Sequence, residues 1–416
     1  MTLPAHSQCV IAGGGPAGMT LGLLLARAGV RVTVLEKHRD FLRDFRGDTI
    51  HPSTMEIFHE LGLLERFLQL PHEKVSRLFG QFGDLRIPFA DFSHLPVQAP
   101  FIAMMPQWDF LDFLADEGKR YPVFHLAMST EATDLIEEGG RVAGVRATTE
   151  GGSAIDVRGD LVVAADGRHS VLRRKAGFVV RDLGAPIDVL WFRLSRQPDD
   201  TSETMGRFDP GAIMVMINRG TYWQCAYVIP KGGIEEVRAR GLPAFRSRLA
   251  KSLPFPADRA DEIGSWDDVK LLTVAVDRLE QWHKPGLLCI GDSAHAMSPI
   301  GGVGVNLAVQ DAVAAANILS ASLREGRVED HDLAAVQKRR LWPTRVVQWL
   351  QLAIQNNVIA PTLQASGPRT PPLPVRLMAR CPMLRRLPAR LVGLGIRPEH
   401  VADGIRRAGT SGQVPI

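Results

Sequence analysis

Residues 8 to 37, QCVIAGGGPAGMTLGLLLARAGVRVTVLEK, constrain the fold more than any other stretch of this 416-residue chain. A short apolar run passes through Gly13-x-Gly15-x-x-Gly18 into an apolar-rich helical segment, and a second apolar run, Val30 to Leu35, ends at Glu36. Strand, glycine turn, helix and strand in that order predict a βαβ unit with a dinucleotide fingerprint. Each glycine has its own reason: Gly13 permits the tight turn, Gly15 lets the backbone approach a pyrophosphate, and Gly18 lets the helix pack close to the strand. The free N–H groups and positive end of the helix then receive the phosphate charge. Glu36, 18 residues beyond Gly18, is placed to accept hydrogen bonds from a ribose diol. The same carboxylate repels a 2′-phosphate, so this pocket suits FAD or NAD and not NADP.

Length points to two domains, since single cores stop growing at roughly 250 to 300 residues. Composition is that of an ordinary globular chain, 45% hydrophobic and 23% charged, with no uncharged apolar run of about 18 residues. The N-terminus lacks the pattern of a secretory signal, and the expected location is the cytoplasm. Four scattered cysteines without a CxxC pair argue against a zinc site or dithiol centre, and no metal is expected. The net charge of +4 is spread along the chain rather than gathered in a tract, so nucleic acid is not an expected partner.

Two further segments share the pattern of a strand ending in an acidic bend. LVVAADGRHSVLRR leads into Asp166-Gly167 with Ser170 and Arg173 downstream. LLCIGDSAHAMSPIGGVGVN, from residue 287, carries Gly291-Asp292, His295, Pro299, Gly301-Gly302-x-Gly304 and Asn306. An acid at the end of a strand can hold a sugar-like hydroxyl, and a glycine bend opening a helix can offer backbone N–H groups to a developing anion.

With the N-terminal box these segments resemble, in order and spacing, the single-component FAD-dependent aromatic monooxygenases typified by para-hydroxybenzoate hydroxylase. The family's DGxxSxxR and GDAAHxxxPxxGxGxN boxes are met here by DGRHSVLR and GDSAHAMSPIGGVGVN, and the resemblance covers about residues 7 to 350. It implies an α/β fold: a Rossmann-like, GR2-type FAD-binding domain interleaved with an α+β substrate domain carrying a mostly antiparallel sheet, plus C-terminal helices. The expected division is 1–75 with 100–182 and 277–355 for FAD, 76–99 with 183–276 for substrate, and 356–416 as a helical tail. By position, Gly13, Gly15, Pro16, Ala17 and Gly18 would face the pyrophosphate, and Glu36 and Lys37 the adenosine side. Arg46 resembles the family's basic residue near the flavin, while Gln107 stands where many members carry Arg and can act only as a neutral donor. Asp166 would support the cofactor or a bound nicotinamide nucleotide, and Asp292 the ribitol chain. Pro299 and Gly302 to Asn306 would set a helix N-terminus at the flavin's pyrimidine edge, with Gly304, Val305 and Asn306 as backbone contacts. His295 is read as structural, and no residue is assigned as catalytic acid or base.

Between the second and third boxes lie strand-like runs at 186–195, 212–218, 221–230 and 269–276, the middle pair joined at Asn218-Arg219-Gly220 as a hairpin. A helical stretch after them is broken near Gly241-Leu242-Pro243. Alternation assigns Ile213, Val215 and Ile217 with Trp223, Cys225, Tyr227 and Ile229 to a face under helices. It leaves Met214 and Met216 with Tyr222, Gln224 and Ala226 facing an apolar, aromatic-sized substrate.

The resemblance implies an enzyme that uses NADPH or NADH as a transient electron donor and O₂ to hydroxylate or epoxidise an aromatic or polycyclic molecule through a C4a-hydroperoxyflavin. Only one nucleotide fingerprint is present, so the donor is expected to visit a surface groove. A reductase or dehydrogenase of the same fold is the alternative, as is a flavin-dependent halogenase, although the WxWxIP signature is replaced by WQCAYVIP. The tail carries Arg376, Arg380, Arg385, Arg386 and Arg390 among Leu, Met and Val. Peripheral contact with an anionic membrane is one reading of it. A cap over the cofactor domain or a dimer contact is the preferred one, and the chain is expected as a monomer or homodimer.

Overall fold

The computed structural model describes residues 3–42, 49–83, 85–201, 203–367 and 373–408. The chain starts as strand β1, His6–Ala12, crosses through helix α1, Pro16–Arg27, and returns as β2, Val32–Leu35. Both strands are almost wholly buried and lack polar alternation, as parallel strands covered on both faces do. Helix α2, Pro52–Glu60, follows, and the chain then leaves for a second sheet as β3, Arg77–Phe82, and β4, Leu85–Asp91. It returns as α3, Gln107–Gly118, β5, Phe124–Ala127, and, after an antiparallel ribbon of Thr130–Glu138 and Arg141–Thr149, as β6, Ala154–Ala164. A longer excursion builds β7, Ile187–Ser195, β8, Met205–Asp209, β9, Ala212–Asn218, β10, Tyr222–Pro230, and β11, Lys270–Leu272. The last return supplies β12, Leu287–Cys289, the long helices α4, Gly304–Arg324, and α5, Asp330–Ile354, and then α6, Leu373–Arg380, α7, Arg386–Gly393, and α8, Asp403–Ala408.

The first sheet runs β12-β6-β1-β2-β5 with every neighbouring pair parallel. Helices α1 and α4 lie on it, and their buried Leu, Val and Ala side chains share one core with the strands. Helix α4 with its lead-in turn is long and apolar enough to cross a membrane, yet 78% of its most apolar window is buried inside the fold, so that apolarity serves the core. The second sheet runs β11-β7-β10-β9-β8-β3-β4 and is antiparallel except where β8 pairs with β3. A helix at Leu242–Ala250 covers one face through Phe245 and Leu249, and it starts where Gly241, at φ +83°, breaks the preceding helix. Beside this core, Asp200 holds Arg259 through both carboxylate oxygens, accepts from Trp223 Nε1 at 3.0 Å, and lies almost fully buried. Burial alone would raise the Asp200 pKa, but the bonds from Arg259, Gln197 and Trp223 hold it down to about 2.

The hairpin requires a correction to the expected faces. Its register pairs Met214 with Tyr227, Met216 with Cys225 and Asn218 with Trp223, so odd residues on β9 face even ones on β10. Met214 and Met216 therefore sit with Trp223, Cys225, Tyr227 and Phe245 in the helix-covered core and are wholly buried there. Ile213 and Val215 join Ala226 and Val228 on the opposite face. The pairing continues beyond the strands, with Arg219 N donating to the Tyr222 carbonyl at 3.0 Å, so the reversal falls on Gly220-Thr221 and not on Asn218-Arg219-Gly220. An odd change in register moves every side chain of one strand to the other face. Met214 and Met216 cannot line a substrate pocket.

The C-terminal helices close over both parts. Helix α8 docks on α1, where Arg27 donates to the carbonyls of Ile405 at 2.9 Å and Arg406 at 2.8 Å. Ala389 and Val392 of α7 pack with Phe92, Trp191 and Val215 of the second sheet.

Candidate cofactor and substrate site

The three boxes meet because β12, β6 and β1 are neighbours, and each box follows the carboxyl end of its strand. In open parallel sheets this edge is where ligands bind. Gly13, at φ +109°, lies so close to the next strand that a Cβ there would come within 2.3 Å of the Ala165 carbonyl oxygen. At Gly18 a Cβ would come within 1.9 Å of the Gly13 oxygen, so the glycine sets the depth at which α1 packs. At Gly15, the N-cap residue of α1, and at Gly304, the first residue of α4, a Cβ would meet nothing within 4 Å. Two helix N-termini thus open onto free space, neither capped by a side chain.

Between them sits Gly291 at φ +60°, where a Cβ would come within 3.0 Å of Ala17 and 3.4 Å of Ala308. The next residue, Asp292, is exposed. Gly304, Val305 and Asn306 lie in the first turn of α4, whose lead hydrogen bond runs from Leu307 N to Val303 O at 2.9 Å. Their N–H groups are the unmatched donors of a helix start. The Asn306 side chain is fixed instead by α2, accepting from Ser53 Oγ at 2.6 Å and Thr54 Oγ1 at 2.9 Å. Gly302, at φ +62°, accepts from Thr49 Oγ1 at 2.9 Å, and Pro299 precedes this turn half-buried.

Asp166 accepts from the backbone of Val171 at 2.8 Å and Leu172 at 3.2 Å through one oxygen, while its buried Oδ1 has no partner among the described residues. Burial raises its pKa above the usual carboxylate range. Arg173 ties this box to the next, donating to the Ser293 carbonyl at 3.3 Å and lying 3.5 Å from Asp277. Glu36 is buried and accepts from Gly14 N and His38 N, each at 3.0 Å, which holds its carboxylate beside the first glycine turn. Lys37 is exposed, Pro16 opens α1 half-buried with Ala17 buried behind it, and Gln107 starts α3 half-buried. Arg46 lies outside the described residues.

The structure also shows a support that the sequence boxes do not contain. His295 is buried and contacts Asp311 at 2.6 Å, and the same Asp311 oxygen accepts from Gly291 N at 3.0 Å. The other oxygen accepts from Arg340 Nε at 2.9 Å, and Arg340 reaches on to Glu399 at 3.1 Å. Burial would raise the Asp311 pKa, but His295 and Arg340 outweigh it and keep the carboxylate below its ordinary range. His295 therefore belongs to a buried bracket behind the bend and faces α4. On the other side of the turn, His51 is fully buried with Nδ1 donating to the Val392 carbonyl at 2.7 Å. Burial lowers its pKa to about 4, against the opposing hydrogen bond to the Val392 carbonyl. It is neutral at physiological pH.

The second sheet supplies the facing wall. Trp191, Ala226 and Val215 stand in one row across β7, β10 and β9. Their cluster includes Ile300, the residue before the glycine turn that leads into α4. Ala226 is buried in that row, whereas Tyr222 lies further along β10 with the Arg193 guanidinium 5.0 Å from its ring centre. Gln224 is buried and accepts from Arg219 Nε at 2.9 Å.

Two uncapped helix starts, with an acid beside the first and an apolar wall beside the second, are the arrangement that an extended flavin dinucleotide would need. The open Cβ positions at Gly15 and Gly304 and the unpartnered Asp166 oxygen fit such a group. The chain belongs to the FAD-binding domain family, whose model matches residues 6–350. It is 33% identical over 390 residues to 6-methylpretetramide 4-monooxygenase of Streptomyces rimosus, covering 93% of this chain and 92% of that protein. It is 25% identical over 351 residues to 6-hydroxy-3-succinoylpyridine 3-monooxygenase of Pseudomonas putida, covering 80% and 84%. Anhydrotetracycline hydroxylase from Streptomyces rimosus shares the fold at a TM-score of 0.73 with 23% identity, over 95% of this chain and 77% of that one. The chain is an FAD-dependent oxidoreductase.

Proposed function

We propose that this protein is an NAD(P)H-dependent monooxygenase that inserts one oxygen atom of O₂ into an aromatic or polycyclic small molecule. FAD, when bound, supplies the two-electron chemistry that links NAD(P)H oxidation to O₂ activation. The residues proposed to hold it are Gly13, Gly15, Ala17, Gly18 and Glu36 at the adenosine and pyrophosphate end, and Asp166, Asp292 and Gly302 to Asn306 at the flavin end. The uncapped N–H groups of Gly304, Val305 and Asn306 would stabilise negative charge on the bound flavin, because a helix start carries roughly half a positive charge.

The observation that carries the reading is the meeting of that helix start with the wall of Trp191, Val215 and Ala226 through Ile300. Apolar side chains on one side exclude water, and fixed donors on the other receive charge. Relatives named as monooxygenases of 6-methylpretetramide and of 6-hydroxy-3-succinoylpyridine support the substrate class. The test is purification with FAD, followed by NADH and NADPH oxidation and O₂ uptake with a panel of polycyclic and monocyclic aromatics. Substrate-stimulated uptake giving a product heavier by one oxygen, labelled from ¹⁸O₂, is expected. Reduction of substrate without O₂ consumption overturns the proposal in favour of a reductase.

A further inference from the structure

Between Asp332 and Glu399 the sequence contains no Asp or Glu and eleven Lys or Arg. Within that run α6 and α7 separate their apolar and basic side chains more sharply than the long helices α1, α4 and α5, although neither is apolar as a whole. Sharp segregation with low average apolarity is the signature of helices that lie in a bilayer interface. Both helices rest on the edge strand β4, and Arg385 turns back to donate to the Met378 carbonyl at 2.8 Å, which fixes the bend between them. The inner side of α7 contributes Ala389 and Val392 to a cluster that includes Trp191 and Val215 of the candidate substrate wall.

The outer side is unpartnered and has a definite chemistry. Leu373, Leu377, Met383, Leu384 and Leu387 are exposed there, Met383 by 72% and Leu373 by 64%. Arg376, Arg380, Arg386 and Arg390 are exposed among them, and none has a carboxylate partner among the described residues. We infer that this face docks the protein peripherally on a membrane rich in anionic phospholipid, with the leucines and Met383 entering the acyl boundary and the arginines at the headgroups.

Two physical arguments select that occupant. A second copy docking face to face would bring the arginines of both chains together with no acid to offset them. A protein partner would be expected to meet aromatic anchors, which dominate such contacts, whereas the exposed apolar groups here are aliphatic and thioether chains suited to lipid.

The experiment uses FAD-loaded protein and sedimentation with sucrose-filled vesicles of phosphatidylcholine, with or without phosphatidylglycerol. Binding is expected only when phosphatidylglycerol is present and should weaken as salt is raised. Each arginine near an anionic surface contributes about fivefold to the partition coefficient, so Arg376→Gln with Arg380→Gln should lower it about 25-fold. Leu384→Ser with Leu387→Ser should also release the protein, and both pairs should keep their FAD content. No binding of the unaltered protein to phosphatidylglycerol vesicles at low salt overturns the inference. So does binding that neither variant pair changes, or a dimer in light scattering that the leucine pair dissociates without any lipid association.

Discussion

Gly15 and Gly18 sit three residues apart in one motif, yet the structure assigns them opposite sensitivities. At Gly18 an added Cβ would lie 1.9 Å from the Gly13 oxygen, so α1 must shift off β1 by roughly 1 Å or more to restore van der Waals contact. Overpacking of that kind costs about 1–3 kcal/mol and also displaces the turn, so Gly18→Ala should lower both apo-protein stability and FAD affinity. At Gly15 the backbone is at φ −76° and the Cβ enters free space. The only stability cost is exchange of a glycine for alanine at an N-cap, about 0.5–1 kcal/mol, or a few degrees in Tm. In the holoprotein the same methyl stands where the pyrophosphate would rest. Two charge-assisted hydrogen bonds lost at about 1.5 kcal/mol each give about 3 kcal/mol, which is about 100-fold in Kd. The assay is titration of apo-protein with FAD by flavin fluorescence, beside thermal unfolding of the apo form. An unchanged FAD affinity in Gly15→Ala, or a native Tm in Gly18→Ala, would refute the assignment.

Asp292→Ala should abolish tight FAD binding while the far-ultraviolet circular dichroism spectrum stays native; unaltered FAD titration would remove Asp292 from the site. Asp311→Ala leaves Arg340 with Glu399 alone and deprives His295 and the Gly291 N–H of their acceptor; a buried donor left unsatisfied costs about 1–3 kcal/mol, so a drop in apo-protein Tm should accompany weaker FAD binding. Asp200 has its folded pKa held down to about 2 against an ordinary 3.8, so its contribution is complete above about pH 4 and fades as pH falls toward 2. Asp200→Asn should cost about 2 kcal/mol at neutral pH and flatten the acid limb of urea-melt stability against pH; an acid limb identical to that of the unaltered protein would contradict it. Val215→Trp should raise the substrate KM with little change in FAD affinity, whereas Met214→Leu should leave KM untouched, and the reverse pattern would place the pocket on the other face.

The βαβ unit is legible in the sequence because all its determinants are local: the apolar runs, the glycine spacing and the terminal acid fall within residues 8 to 37. The GD box is legible for the same reason, down to the helix start at Gly304. Side-chain alternation within β9 and β10 is also readable, but their mutual register is not, since it depends on a loop conformation that alternation does not encode. Strand β8 is marked locally only by the Pro210-Gly211 turn that pairs it with β9; its other partner, β3, lies more than a hundred residues away in sequence. Asp311 is hidden by the alanines around it on α4: nothing local distinguishes a buried carboxylate that braces His295 and Arg340 from one on a solvated face.

The neighbouring placement of β1, β6 and β12 bears on how the cofactor is acquired. The three bends are separated by about 150 and about 125 residues of chain; the β1–β6 pairing closes over the first excursion into the second sheet and the β6–β12 pairing over the second. Closing such long loops adds little thermodynamic cost, because loop entropy grows only with the logarithm of length. It slows assembly, since non-local parallel pairings form late. A nascent chain that has not emerged past Asn306 possesses the first glycine turn and yet has no complete receptacle. Loading of FAD is therefore not complete before Asn306 has emerged, and fragments ending before that point should accumulate colourless.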